Sequence, residues 1–306
     1  MIRFQRLLIG LSPQLPHRDI LRHASRIAHM SSSAEAHIVF TADIPALVDL
    51  DDASAVNLKG HLQDVAKEDL AAATREFFTP PASTAVSIEY TEGPALRELL
   101  TRARDLDVDL ILVGAERDGP RPLAEKLARK APCSVFIAPT GTVPERGEVS
   151  FSRLLVPVDF SDSSGDALDV AVAFADAEGS KSLDVLHAYR LPLGYHRIGK
   201  TADEMETIMR QNAGNRMDRF LSEADLRGLT VRSHFVHNSF PEQAVAGYVE
   251  AHDVDLAVVG SSGKTEGAAV LLGSVAEEIV REIPVPFVCV RRKGVTLDVL
   301  DALLRL

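Results

Sequence analysis

The chain says nearly the same thing twice, and this restricts its fold more than any other feature. "RLLIGLSP" from Arg6 returns as "RLLVPVDF" from Arg153, and "VDLILVGAE" from Val108 as "VDLAVVGSS" from Val254. "LAEKLARKAPCSVFIAP" from Leu123 returns as "VAEEIVREIPVPFVCVR" from Val275. The matches keep their order, at offsets of roughly 146 to 152 residues, in a chain of 306. Two homologous domains follow, 1–141 and 151–306. The stretch between them, "TGTVPERGEVS" from Thr140 to Ser150, is rich in Gly, Pro and charge and reads as a linker.

Each half alternates apolar runs of strand length with amphipathic stretches. In the second half "RLLVPV", "SLDVLHAY", "LTVRSHFVH", "VDLAVVG" and "VPFVCVR" read as strands. Between them "SSGDALDVAVAFADAEG", "ADEMETIMRQNAGNRMDRFLSEADLR", "PEQAVAGYVEAHD" and "SVAEEIVRE" read as helices. The first opens on Ser/Asp caps and the third on Pro. Continuous apolar strands alternating with helices imply a parallel sheet covered on both faces. The first half repeats the pattern. The expected fold class is α/β: two tandem, doubly wound, five-stranded parallel-sheet domains of Rossmann-like kind. Ligands in such a sheet bind beyond the C-terminal strand ends, where the strand order reverses.

Charge narrows what that site can hold. The net charge is −11, which argues against nucleic acid and against an anionic membrane surface. A nucleotide stays open, because backbone N–H groups bind phosphate on an acidic protein too. No apolar run nears the roughly 20 residues of a membrane helix, and "MIRFQRLLIGLSPQLP" is too short in apolar core for a signal peptide. Cys133 and Cys289 have no partner at ligand spacing. Buried thiols and a reducing cytoplasm are the expectation.

The stretch "VVGSSGKTEGAAVLLGS" holds GKT, the end of a P-loop. A P-loop needs a further glycine five residues before Gly263, where Val258 stands, and it follows a first strand rather than a fourth. The spacing present is Gly260-x2-Gly263-x9-Gly273-Ser274. Gly260 ends a strand, and both it and Gly263 permit unusual φ and close backbone approach to a ligand. Gly273 and Ser274 open a helix, whose free N–H groups and dipole favour an anion. Ser274 and Glu277 also fit a capping box, in which Ser274 is the N-cap. Asp159, just after the first strand, faces the switch point, or else it starts the next helix.

This G-x2-G-x9-G-[ST] loop, with "VPVDFSDSS" and "LLGSVAEEIVREIPVPFVCVR", resembles the nucleotide loop of the universal stress protein family. The likeness is strong in the second half and weak in the first. It implies a tandem member with an adenine nucleotide alpha hydrolase-like fold that binds ATP, or another adenine nucleotide, with or without Mg. It places Asp159 near the ribose and any metal, adenine on the main chain at Ala188, and Pro157, Val259 and Val275 on the pocket flanks. Lys264 reaches phosphate or lies free on the surface.

The first half departs from that pattern. Ser12 stands where Asp159 does, and Gly114 matches Gly260. "AERDGPRP" is shorter than its counterpart, and Arg121 and Pro122 replace Gly273 and Ser274. A degenerate domain is expected there. Family dimers pair through their last strands, which implies an intramolecular pseudo-dimer of "SVFIAP" with "VPFVCVR", with or without a homodimer. His234 and His237 should lie on opposite faces of a strand. His187 ends its strand next to the adenine pocket and reads more as an ordinary strand-end histidine than as a residue lining the site. "DLDDAS", from Asp49, lacks the glycine and distal Glu of a calcium loop. The inserts Asp43–Leu58 and Arg190–Lys200 carry no readable function. Leu297, Leu300, Leu303 and Leu304 form a stripe that packs on its own domain or on a partner.

The expected function is a cytoplasmic stress-response protein, a nucleotide-dependent regulator with one working site. Two alternatives stand beside it. One is a slow ATPase or phosphotransfer enzyme, for which no general base or arginine finger is readable, so weak hydrolysis is the most expected. The other is a nucleotide-free adaptor.

Overall fold

A computed structural model of the chain describes residues 3–42, 52–143, 145, 148–261 and 272–292. The chain divides into two compact units, Met1–Val149 and Ser150–Leu306.

Unit 1 runs β1 (Arg6–Leu11), α1 (His17–Ser31), β2 (Glu35–Ala42), α2 (Asp52–Phe77), β3 (Ala85–Glu92), α3 (Ala95–Asp105), β4 (Leu110–Ala115), α4 (Pro122–Lys130) and β5 (Ser134–Pro139). Its strands are parallel, in the order β3-β2-β1-β4-β5. Unit 2 runs β6 (Leu154–Pro157), α5 (Asp162–Glu178), β7 (Ser182–Tyr189), α6 (Ala202–Ser222), β8 (Thr230–His237), α7 (Pro241–Ala251), β9 (Leu256–Gly260), α8 (Ser274–Glu282) and β10 (Phe287–Val290). Its order, β10-β9-β6-β7-β8, is the same, and again all parallel. The α/β class and the tandem doubly wound plan are those the sequence implied.

The core of unit 2 follows from its apolar runs. Leu155, Val156, Val185, Ala257, Val258, Phe287 and Val288 are fully buried. Burying each of the large ones stabilises the fold by roughly 1.5–3 kcal/mol. Helix α5 covers β6, β9 and β10 through Ala167, Leu168, Ala171, Phe174 and Ala175, a helical stripe of mostly small side chains that lets it lie close to the sheet. Ser161 caps it, accepting from the Ser164 N–H at 3.3 Å. Gly179 ends it in the left-handed region, φ 74°, with its N–H on the carbonyl of Asp176. Phe174 itself is locked edge-to-face on Phe151, so Phe174→Ala would open a cavity costing about 3–5 kcal/mol.

The crossovers from β6 and β7 run away from β9, and those after β8 and β9 run the other way. The reversal lies between β6 and β9, which opens a crevice beyond their C-terminal ends. His234 and His237 do lie on opposite faces of β8. His234 meets Asp184 and Tyr248, and His237 meets Glu206 of α6. Asp52–Ser54 of the acidic run open α2, and Arg190–Lys200 contains a turn of 3-10 helix at Tyr195–Ile198. Gly263, Lys264 and the C-terminal leucines lie outside the described residues. Among the described residues no helix is long and apolar enough to cross a membrane, and no cluster of three His, Cys, Asp or Glu could hold a metal ion. Both cysteines are buried thiols; burial pushes Cys289 up to about 11.

Candidate functional site

One cavity of about 490 Å³ sits at the reversal point of unit 2. Pro157, Asp159, Ala188, Val259, Gly260, Gly273, Ser274 and Val275 all line it, and so does His187. The structure thus gathers every described residue expected of the site, from three strand ends and one helix start. The volume is that of a small-molecule pocket.

Asp159 stands both at the crevice and against the start of α5. It lines the cavity, and its Oδ1 accepts the Ser164 hydroxyl at 2.7 Å and the Ser161 N–H at 3.0 Å. Its own N–H donates to the Ser164 hydroxyl at 3.1 Å. The carboxylate is therefore fixed against the first turn of α5. Two further groups brace this corner. His187 donates from Nδ1 to the Val158 carbonyl at 2.8 Å, which sets its tautomer, and its ring lies 4.4 Å from that of Phe160. Phe160 has φ 64°, a left-handed conformation that costs a bulky residue of order 1–3 kcal/mol.

Gly260 differs from expectation. It ends β9 in extended backbone, and the close approach it permits is to the carbonyl of Ser163 in α5, with no space for a side chain. The helix start differs as well. The N-cap of α8 is Gly273, with no side-chain cap bond, so the Ser274–Glu277 capping box does not form. Glu277 donates its N–H to the Gly273 carbonyl at 2.8 Å, which makes Ser274 the first helical residue and puts Glu277 one place too far along. Glu277 turns to Arg281 instead. Ser274, Val275 and Ala276 thus precede the first rung of the ladder. Their N–H groups form the partly positive end of the helix, beside the cavity. The Gly273 N–H donates to the Ser261 carbonyl at 2.9 Å, which ties the start of α8 to the end of β9.

Sequence reasoning missed two cations. Arg190 and Arg216 line the same cavity. Arg190 falls in an insert without motif, and Arg216 lies mid-way along α6, so nothing local marked them. Arg216 stacks on Phe160, its guanidinium carbon 4.3 Å from the ring centroid.

Unit 1 holds a different arrangement at the equivalent place. Gly10, Leu11, Ser12, Leu15 and Gly114 enclose only about 20 Å³. Arg121 caps α4, Pro122 follows it in the first turn, and the Arg121 side chain is buried. Its Nε donates to the Glu116 carbonyl at 2.8 Å and its Nη2 to the Arg117 carbonyl at 2.6 Å. The guanidinium closes the short loop from inside.

Similarity to known proteins follows the same division. The chain is 28% identical over 161 residues to the universal stress protein MJ0577 of Methanocaldococcus jannaschii, covering 48% of this chain and 98% of that relative. A universal stress protein of Thermus aquaticus is 30% identical over 142 residues, covering 46% of this chain and 99% of the relative. Each is about half as long as this chain. Among solved structures, a universal stress protein of Archaeoglobus fulgidus shares the fold of nearly the whole chain, with TM-score 0.58 at 18% identity, covering 94% of this chain and 97% of that one. The profile of the universal stress protein family matches twice, over residues 3–139 and 150–291, and the chain belongs to that family as a tandem member.

Proposed function

We propose that unit 2 binds ATP, or another adenine nucleotide, and that the protein is a nucleotide-dependent regulator of a cytoplasmic stress response. The observation that carries this is the convergence of Asp159, Ala188, Gly260, Gly273 and Ser274 on one cavity. The residues suit the ligand chemically. The strand-end backbone at Ala188 offers an edge for adenine. Asp159, held by Ser161 and Ser164, is an acceptor for ribose hydroxyls. The N-terminus of α8, with the Ser274 hydroxyl and Gly263 of the loop, takes phosphate. Asp159 is the one carboxylate among the described lining residues, so a magnesium ion would ride mainly on the phosphates. The role is binding rather than turnover, with weak hydrolysis at most. Binding favours one conformation and so changes what the protein docks against. In this reading unit 1 is the degenerate domain, closed by Arg121.

The test is to denature the purified chain and identify released nucleotide by chromatography, with Gly273→Asp alongside. One adenine nucleotide per chain, absent from the variant, is expected. Added ATP at about 100 times its Kd should stabilise unit 2 by roughly 2.7 kcal/mol. No released nucleotide and no shift in Tm would sink the proposal in favour of the adaptor.

A further inference from the structure

The cavity is bordered by positive charge besides the N-terminus of α8. Arg190 and Arg216 line it, and neither donates a hydrogen bond or meets a carboxylate among the described residues. Some other arginines of this unit are paired, Arg153 with Asp255, Arg227 with Asp176, Arg232 with Asp184 and Arg292 with Asp166, but of the described arginines only Arg190 and Arg216 border this cavity. In a chain of net charge −11, an unpaired arginine beside a cavity is a group with an interaction still to make.

The second observation is how Arg216 is presented. Its guanidinium lies on one face of Phe160, whose ring also meets His187. A cation–π contact of this kind engages the charge and satisfies none of the guanidinium N–H donors, which stay able to grip phosphate or carboxylate. The left-handed Phe160 backbone is the strained element that puts this ring there.

We propose that Arg216, seconded by Arg190, is a side-chain phosphate anchor separate from the glycine loop, and that it makes the site select ligands by phosphate number. The inference rests on the adenine-nucleotide reading above and specifies its substrate class: a nucleoside triphosphate over the diphosphate, and both over the monophosphate. The α8 N-terminus binds the phosphates through fixed N–H groups, and the arginines answer the charge each added phosphate brings.

The experiment measures Kd for ATP, ADP, AMP and adenosine, and Tm shifts with inorganic tripolyphosphate, on the full chain. Arg216→Gln is compared with wild type and with Arg219→Gln, an arginine of the same helix outside the cavity. Gln keeps a good helix former in place, and an unchanged Tm of the unliganded variant confirms folding. Wild type should bind in the order ATP, ADP, AMP, adenosine. Arg216→Gln should weaken ATP by about 10- to 100-fold, the scale of hydrogen bonds to charged groups, and leave adenosine and Arg219→Gln unmoved. Equal losses for ATP and adenosine would overturn the proposal, since the arginine would then be stacking on the base. An unchanged ATP affinity would overturn it too. If no nucleotide binds but tripolyphosphate raises the Tm in an Arg216-dependent way, the adenine reading fails and the anchor stands; if neither acts, both fail.

Discussion

A Cβ built on Gly260 would stand 2.6 Å from the carbonyl oxygen of Ser163 and 2.8 Å from its carbon. The strand end that borders the cavity and the first turn of the helix beside it are thus in backbone contact. Gly260→Ala must push that turn outward, because backbone cannot yield as a side-chain tip can. Overpacking of this kind costs typically 1–3 kcal/mol, or about 2–4 °C of Tm per kcal/mol in a domain of this size. Thermal unfolding of the variant should show unit 2 melting earlier, and an unchanged Tm would refute the contact. Gly114, its counterpart in unit 1, has its nearest neighbour at 3.4 Å, the tip of Leu15. Gly114→Ala should be close to neutral.

Asp159 allows the charge and the hydrogen-bond roles to be separated. Asn keeps an Oδ1 that accepts from Ser161 and Ser164, whereas Ala removes it. Asp159→Asn should therefore hold its Tm to within about 2 °C, and Asp159→Ala should lose about 1–2 kcal/mol, the worth of a lost helix-start acceptor. Calorimetry of the two variants decides. Equal destabilisation would mean the charge, not the hydrogen bonds, holds the turn.

These two residues also mark what could be read in advance. Strand ends and the switch point follow from apolar run length and order, which puts Asp159 at the crevice; Ala188 and Val259 came only with the family resemblance. The β7 run was legible to its last residue, Tyr189. What Gly260 is for could not be read, because Ser163 is distant in sequence and meets it only through the fold. The α8 cap was misplaced by one residue, since the choice between Gly273 and Ser274 rests on a single backbone hydrogen bond. Arg216 was invisible for a third reason: its position depends on a left-handed Phe160, a conformation that aromatic residues rarely adopt and no local pattern signals.

Acid should probe the other polar cluster of unit 2. Arg232 grips Asp184 with Nε at 2.7 Å and Nη2 at 2.8 Å, and His234 Nε2 lies 3.0 Å from the same carboxylate. Tyr248 reaches His234 at 3.1 Å and stacks on His252. Burial alone would raise the Asp184 carboxyl, but the hydrogen bonds from Arg232 and His234 outweigh it and hold the group below its ordinary range. A depressed folded pKa stabilises the fold above the unfolded value of about 3.9 and loses that contribution as pH falls through the folded value. Groups common to wild type and Asp184→Asn cancel in the comparison, so it isolates the carboxyl. The Tm advantage of wild type over Asp184→Asn should be steady near pH 5 and shrink below about pH 4. An advantage that does not change with pH would contradict the assignment.

Arg121 sets the number of sites per chain. Its guanidinium fills the loop that would have to open for phosphate in unit 1, and the cavity between Gly10, Ser12 and Gly114 measures about 20 Å³, against the roughly 300 Å³ or more of a small-molecule pocket. Arg121→Ala removes donors from the Glu116 and Arg117 carbonyls, a loss of about 1–3 kcal/mol. The variant should melt earlier yet gain no nucleotide, because Leu15 and Ser12 still occupy the place and Pro122 offers no N–H at the first helical position. Nucleotide counted after denaturation should be one per chain in wild type and in Arg121→Ala, and none in Gly273→Asp. Two per chain in wild type would mean that unit 1 opens for a ligand after all. Two only in Arg121→Ala would make this arginine a plug over a site that still works.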